Sequence, residues 1–135
     1  MPDTKPKIPL IVFDPAGARL KIEWKARSGV YAASYEILLW ESNSNDVISR
    51  FQGNNINDED DKYDLPLPTE KNHQRLLDVL TRVTAYEDNT NYNILITVTQ
   101  GGKKIFEDFC KPAPDKLLKE AETHRIQKWF ILTAK

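Results

Sequence analysis

The sequence is poor in several features that would narrow its function. It carries one cysteine, Cys110, in 135 residues. That excludes an intrachain disulfide, and the paired-cysteine spacing of a zinc site is absent. A buried structural thiol is the simplest reading of Cys110. Charge of one sign is not in excess: Lys and Arg total 19 against 20 Asp and Glu. No global basic bias therefore points to nucleic acid or to an anionic membrane surface. Long apolar runs are missing too. The run at 8–13 is far shorter than a membrane span, and the polar stretch before it has no cleavage-site pattern. The expectation is no membrane span, no secretion signal, and a cytoplasmic location if Met1 is the native start. Neither Gly-x-Ser-x-Gly, nor His-Glu-x-x-His, nor a glycine-rich phosphate loop occurs. His73 and His124 are far apart in sequence, each in a polar context, and nothing pairs either with Cys110 as a nucleophile. No enzyme is expected.

What is present is alternation. The 40% apolar content with mixed charge describes an ordinary globular chain, long enough for one real core. Leu20, Ile22 and Trp24 alternate with Lys21, Glu23 and Lys25, the period of a half-buried strand. Tyr35, Ile37 and Leu39 repeat the pattern, as do Tyr92, Ile94, Ile96 and Val98. Residues 8–13 read as an edge strand, because Pro9 has no N–H to give a ladder. Residues 47–51 read as a second short edge strand, followed by a polar loop over 53–64. Segment 75–85 fits a helix face through Leu76, Leu77, Leu80 and Val83, and a strand through Leu77, Val79, Thr81 and Val83. Its β-branched content decides for a strand. Gly101-Gly102 between alternating segments signals a two-residue hairpin, with 103–110 as the return strand. After Pro112 and Pro114, Asp115 is placed to cap a short helix over about 116–125, and 126–133 reads as a final strand. One longer helix through Phe130 is the alternative.

Leu20-x-Ile22-x-Trp24, Tyr35-x-Ile37-x-Leu39 and Tyr86-x-x-x-Thr90-x-Tyr92-x-Ile94-x-Ile96 stand in order over residues 19–110. In that order they resemble the second strand, third strand and penultimate corner-and-strand of a fibronectin type III domain. Tyr86 and Asp88 stand where that family usually has Leu and Pro. The resemblance implies an immunoglobulin-like sandwich and a binding or spacer module with no chemistry of its own. The expected fold is therefore all-β: a two-sheet antiparallel immunoglobulin-like sandwich of about seven strands, with a short C-terminal helix and strand. The sandwich spans 1–110, and 111–135 is an appendage packed on the same domain. In such a corner, Tyr92 is expected to swing its hydroxyl back onto upstream backbone.

If Tyr35, Ile37, Tyr92, Ile94 and Ile96 face inward, then Leu38, Trp40 and Leu95 face outward, joined by Phe106 or Phe109 according to register. The third, penultimate and return strands are expected to share a sheet, which gives one apolar outer face. Such a face needs cover. Either the tail supplies it, through Leu117, Leu118, Trp129, Phe130 and Leu132, or the face binds another protein or a second copy, with Trp40 as anchor. Both hold if tails exchange between protomers. Leu38, Trp40, Leu95, Phe106 and Trp129 are the binding-surface candidates of a non-enzymatic protein-interaction or structural module. Two other readings compete. Asn55, Asn57, Glu59 and Asp61 alternate as calcium-loop ligands do, without the mid-loop Gly or the bidentate Glu, which would make a calcium-dependent adhesion module with calcium its one possible cofactor. The aromatics Tyr31, Trp40 and Tyr63 beside Asn and Asp suit a carbohydrate-binding module.

Overall fold

The computed structural model describes residues 7–27, 31–56 and 61–135. It is a two-sheet, mostly antiparallel β-sandwich. The strands are β1 (Leu10–Phe13), β2 (Leu20–Arg27), β3 (Tyr31–Trp40), β4 (Val47–Asn54), β5 (Lys62–Asp64), β6 (Leu76–Ala85), β7 (Asn93–Gln100), β8 (Lys103–Cys110) and β9 (Thr123–Ala134). One sheet has the order β1-β9-β6-β3-β4 and the other β5-β2-β7-β8. Every pair is antiparallel except β1 with β9.

Local signals place most of these elements. Asp14-Pro15-Ala16-Gly17 closes its turn with Gly17 N–H donating to Asp14 O at 3.1 Å. Gly101 and Gly102 both take positive φ, 59° and 78°, which the two-residue hairpin between β7 and β8 requires. The ambiguous segment 75–85 is strand β6, with Leu77, Val79, Thr81 and Val83 buried. A 3-10 turn, Thr69–Asn72, is the only helical element among the described residues.

Four expectations about the elements and their order are corrected. The helix over 116–125 does not form. Leu118 instead exchanges backbone hydrogen bonds with Thr90 at 2.9 and 3.0 Å, and Ala121 adopts φ 63°, outside the right-handed helical region. The described strands number nine rather than about seven and a tail strand, because the polar loop contributes β5. The third strand does not share a sheet with the penultimate and return strands. β3 pairs with β6 over ten consecutive residues, and β2 pairs with β7 over eight. In this arrangement β3 and β6 satisfy each other's backbone groups along their whole length, as do β2 and β7. Nor is the 111–135 tail laid over a finished sandwich, since β9 lies inside the five-stranded sheet between β1 and β6.

Trp24 holds the two sheets together. It is 1% exposed on β2, and its Nε1–H donates to Thr81 Oγ1 on β6, across the sandwich, at 3.1 Å. Its ring lies 4.4 Å, centroid to centroid, from that of Tyr35 on β3. Tyr35 in turn gives its hydroxyl to Asp61 Oδ1 at 2.5 Å and shares a hydrogen bond with the Tyr63 hydroxyl. Burial first, then the Asp61 hydrogen bond, raises the Tyr35 pKa far above its ordinary value and keeps the phenol neutral. Tyr92 does not reach upstream backbone. Its hydroxyl meets His124 Nδ1 on β9 at 3.1 Å, because the strand facing it is the tail's own.

Replacing Thr81 by Val keeps the volume and removes the one acceptor given to the Trp24 indole. The expected cost is about 1–3 kcal/mol, the penalty for an unpaired buried donor. A urea midpoint lowered at unchanged m-value checks it; an unchanged midpoint would show that the contact carries no stability.

Candidate interaction surface

Alternation along β3 sends Tyr31, Ala33, Tyr35, Ile37 and Leu39 inward and leaves Leu38 and Trp40 on the outer face. A register shift between Leu39 and Trp40 brings Val47 of β4 opposite Trp40. The row then crosses the whole sheet: Val47, Trp40, Leu76, Ile131 and Leu10 stand side by side on β4, β3, β6, β9 and β1. The adjoining row holds Arg50, Leu38, Asp78 and Trp129 on β4, β3, β6 and β9. Ile8 and Val12 flank Leu10, at 42% and 45% exposure. Leu10 is 55% exposed, Trp129 44% and Val47 38%. Further along the strands the same face turns polar, with Ser34, Arg82 and Arg125 in one row. The apolar surface is therefore confined to one end.

Polar contacts fix this end. Asp78 is buried beneath the patch, accepting from Trp40 Nε1 at 3.3 Å and from Gln127 Nε2 at 2.9 Å. The hydrogen bond to Asp78 thus sets the orientation of the Trp40 indole. At the rim, Arg75 forms a two-pronged pair with Glu41, at 3.2 and 3.1 Å, and donates to Asn72 Oδ1 at 3.0 Å. Asn72 itself donates to Pro66 O at 3.0 Å. This chain ties the end of β3 to the start of β6. The Arg75 hydrogen bond, with help from the Ser42 N–H, holds the Glu41 carboxyl below its ordinary pKa. Between the loop after β3 and β9 lies an open groove of about 550 Å³, with Trp40, Trp129, Leu76 and Ile131 in its lining.

The five expected surface residues divide among three places. Leu38, Trp40 and Trp129 share the outer face of the five-stranded sheet. Leu95 lies on the outer face of the other sheet, between Lys25 and Phe109. Phe106 pairs with buried Val98 and packs edge-on against Phe130 at 4.9 Å, so it belongs to the interior. The single face expected from Leu38, Trp40, Leu95 and Phe106 is therefore corrected. The cause is the strand exchange already described, which puts β7 and β8 across the core from β3. The tail residues expected as cover are likewise redistributed. Phe130, Leu132 and Leu118 are core, while Trp129 extends the patch. Sequence reasoning missed Leu10, Val12, Val47, Leu76 and Ile131. Alternation on β1, β6 and β9 marks Leu10, Val12, Leu76 and Ile131 as outward, Val47 opens the edge strand β4, and only pairing shows that they adjoin Trp40.

The other candidates are engaged elsewhere. Asn55 caps β3, accepting from Ala33 N–H at 2.9 Å and donating to Tyr31 O at 2.8 Å, while Asp61 accepts the Tyr35 hydroxyl. Asn57 and Glu59 lie outside the described residues. Among the described residues no cluster of three or more His, Cys, Asp or Glu is arranged to hold a metal. Tyr31 is buried, and Tyr63 stacks on Phe51 at 4.5 Å, so neither joins Trp40 in a common platform. His73 Nδ1 accepts from Ala134 N–H at 3.0 Å and His124 sits at the opposite end of β9. At about 3.3 Å per residue the two are about 30 Å apart. Burial pushes the Cys110 thiol up to about 11, which keeps it protonated and unreactive at neutral pH.

No helix among the described residues is long and apolar enough to cross a membrane. Comparison with protein-family models, with curated proteins and with solved structures finds no match.

Because the folded state lowers the Glu41 pKa, its pairing with Arg75 adds stability above the unfolded carboxylate value and loses it as pH falls through the folded one. The melting temperature should drop on acidification below about pH 4.5, and the drop should be smaller in Glu41→Gln. Equal acid sensitivity in the two proteins would show that the pair contributes nothing.

Proposed function

We propose that this chain is a non-enzymatic interaction module of the immunoglobulin-like sandwich class. It docks a protein partner, or a second copy of itself, through the outer face of its five-stranded sheet around Trp40 and Trp129. The observation that carries the reading is the apolar row from Val47 to Leu10. It crosses five strands, and residues 111–135 extend it through Trp129 and Ile131 instead of covering it. Contiguous apolar surface of this kind, rimmed by polar groups, marks interaction sites. Tryptophans are enriched among the residues that dominate such interfaces. The likeness to fibronectin type III domains belongs to this proposal at the level of two facing sheets with a core Trp on the second strand. The strand partners differ, since an immunoglobulin fold sets its third strand beside the penultimate one and here β3 lies beside β6.

Calcium and carbohydrate are weaker readings. Two of the four calcium ligands are committed to structural hydrogen bonds, and two of the three sugar-stacking aromatics lie away from Trp40.

The test places a photoreactive residue at position 47 or 10, and as control at Lys25 on the opposite sheet, in the cell that makes the protein. Discrete adducts are expected from 47 and 10 and not from 25, and Trp129→Glu should remove them. Adducts from position 25 alone would overturn the reading. So would a protein that stays monomeric at high concentration and gives no adduct at any position.

A further inference from the structure

Asp78 is the one charged residue at the centre of the patch, and it is underprovided. It is 8% exposed. Its two hydrogen bonds come from neutral donors, Trp40 Nε1 and Gln127 Nε2. A carboxylate offers about four lone-pair sites, so about half remain open. Asp78 makes no ion pair among the described residues: Arg50, the cation in its own row, stands two strands away on β4 with Leu38 between them. Arg75 is spent on Glu41, and Lys128 on Asp108 at 3.0 Å. The groove above it is lined by a second acid, Glu41, and among the described residues by no lysine or arginine. The groove is otherwise lined by neutral polar groups such as Ser42, Asn45 and Gln74 and by the indoles, and a buried carboxylate with no cation beside it is costly. A partner that supplies the cation removes that cost.

Trp129 stands directly opposite Asp78 on β9, and Trp40 is on β3, the other neighbour of β6. β3 and β9 are therefore about 10 Å apart, so the carboxylate has an indole on each side. A planar guanidinium suits such a site better than an ammonium. It forms two parallel hydrogen bonds to a carboxylate and lays its face on an aromatic ring. Resting on the docking face described above, we propose that the partner is a protein segment presenting an arginine between apolar residues. The arginine seats on Asp78 against Trp129, and the flanking side chains lie on Leu76, Ile131 and Leu10.

The experiment compares two probes, N-acetyl-Leu-Arg-Leu-amide and the same peptide with citrulline, which keeps the shape and loses the charge. Binding is followed by amide and indole chemical shifts of the full chain. The arginine peptide should bind at least about ten-fold more tightly, should weaken as salt rises, and should perturb the Trp129 indole. Asp78→Asn, which keeps an acceptor oxygen for one of its two neutral donors, should lose the preference for arginine, and Asp78→Glu should retain it. Melting curves of both variants show that they are folded. Equal binding of the two peptides overturns the arginine assignment and leaves the docking face standing. No binding of either peptide at low-millimolar concentration, or shifts at the same indole produced by a neutral oligosaccharide, overturns the assignment as well. The photo-crosslinking result separately decides the docking face.

Discussion

Everything in this molecule hangs on one indole spanning two sheets. Trp24 stands on β2 and bonds to Thr81 on β6, so the hydrogen bond crosses the core from one sheet to the other. Burying a ring of that size removes on the order of 200 Å² from water, worth on the order of 5 kcal/mol. The hydrogen bond adds only about 1 kcal/mol net. Area therefore supplies the stability, and the single bond supplies the alignment. With Trp24 placed, Tyr35 stacks on it, and the phenol of Tyr35 fixes Asp61 and Tyr63 at the edge. Gly53 of β4 packs against that phenol: a Cβ there would come within 2.5 Å of the Tyr35 oxygen.

The consequence for function runs through parity. Once Tyr35, Ile37 and Leu39 are committed to the core, the two-residue period leaves Leu38 and Trp40 outside. The same holds for β9, where buried Phe130 and Leu132 force Trp129 and Ile131 outward. Two strands from opposite ends of the chain thus place their tryptophans on either side of β6. Asp78 ends up between them because it, too, has the outward parity of β6. The apolar end of the face follows from core packing in the strands that make it.

Much of the fold was legible in advance. The strands β2, β3 and β7, the glycine hairpin, and the edge position of β1 all announce themselves through alternation, φ preference or the missing proline N–H. The strand over 75–85 was recoverable from its β-branched residues against a competing helical spacing. The tail was not legible. Leu117, Leu118 and Ala121 have helical spacing, but Leu118 gains a backbone pairing with Thr90 and a fully buried side chain, and tertiary contact outweighs propensity. The candidate site was legible in part. Leu38 and Trp40 were recognised as outward and Trp129 as a tail residue belonging to the same surface, whereas Leu95 and Phe106 were assigned to that face by an assumed strand order.

The sequence by itself determined which residues along each strand face in and which face out, because that alternation is a property of the extended backbone. It also determined an all-β chain with too little cysteine for disulfides. Only the tertiary structure decided which outward residues share a surface. That depends on which strands pair, and pairing joins residues as distant as Leu10 and Ile131, or Asp78 and Trp129. Local periodicity carries no information on partner choice. Backbone hydrogen-bond satisfaction and the fit of side chains such as Trp24 against Thr81 do, and they act only once distant strands meet.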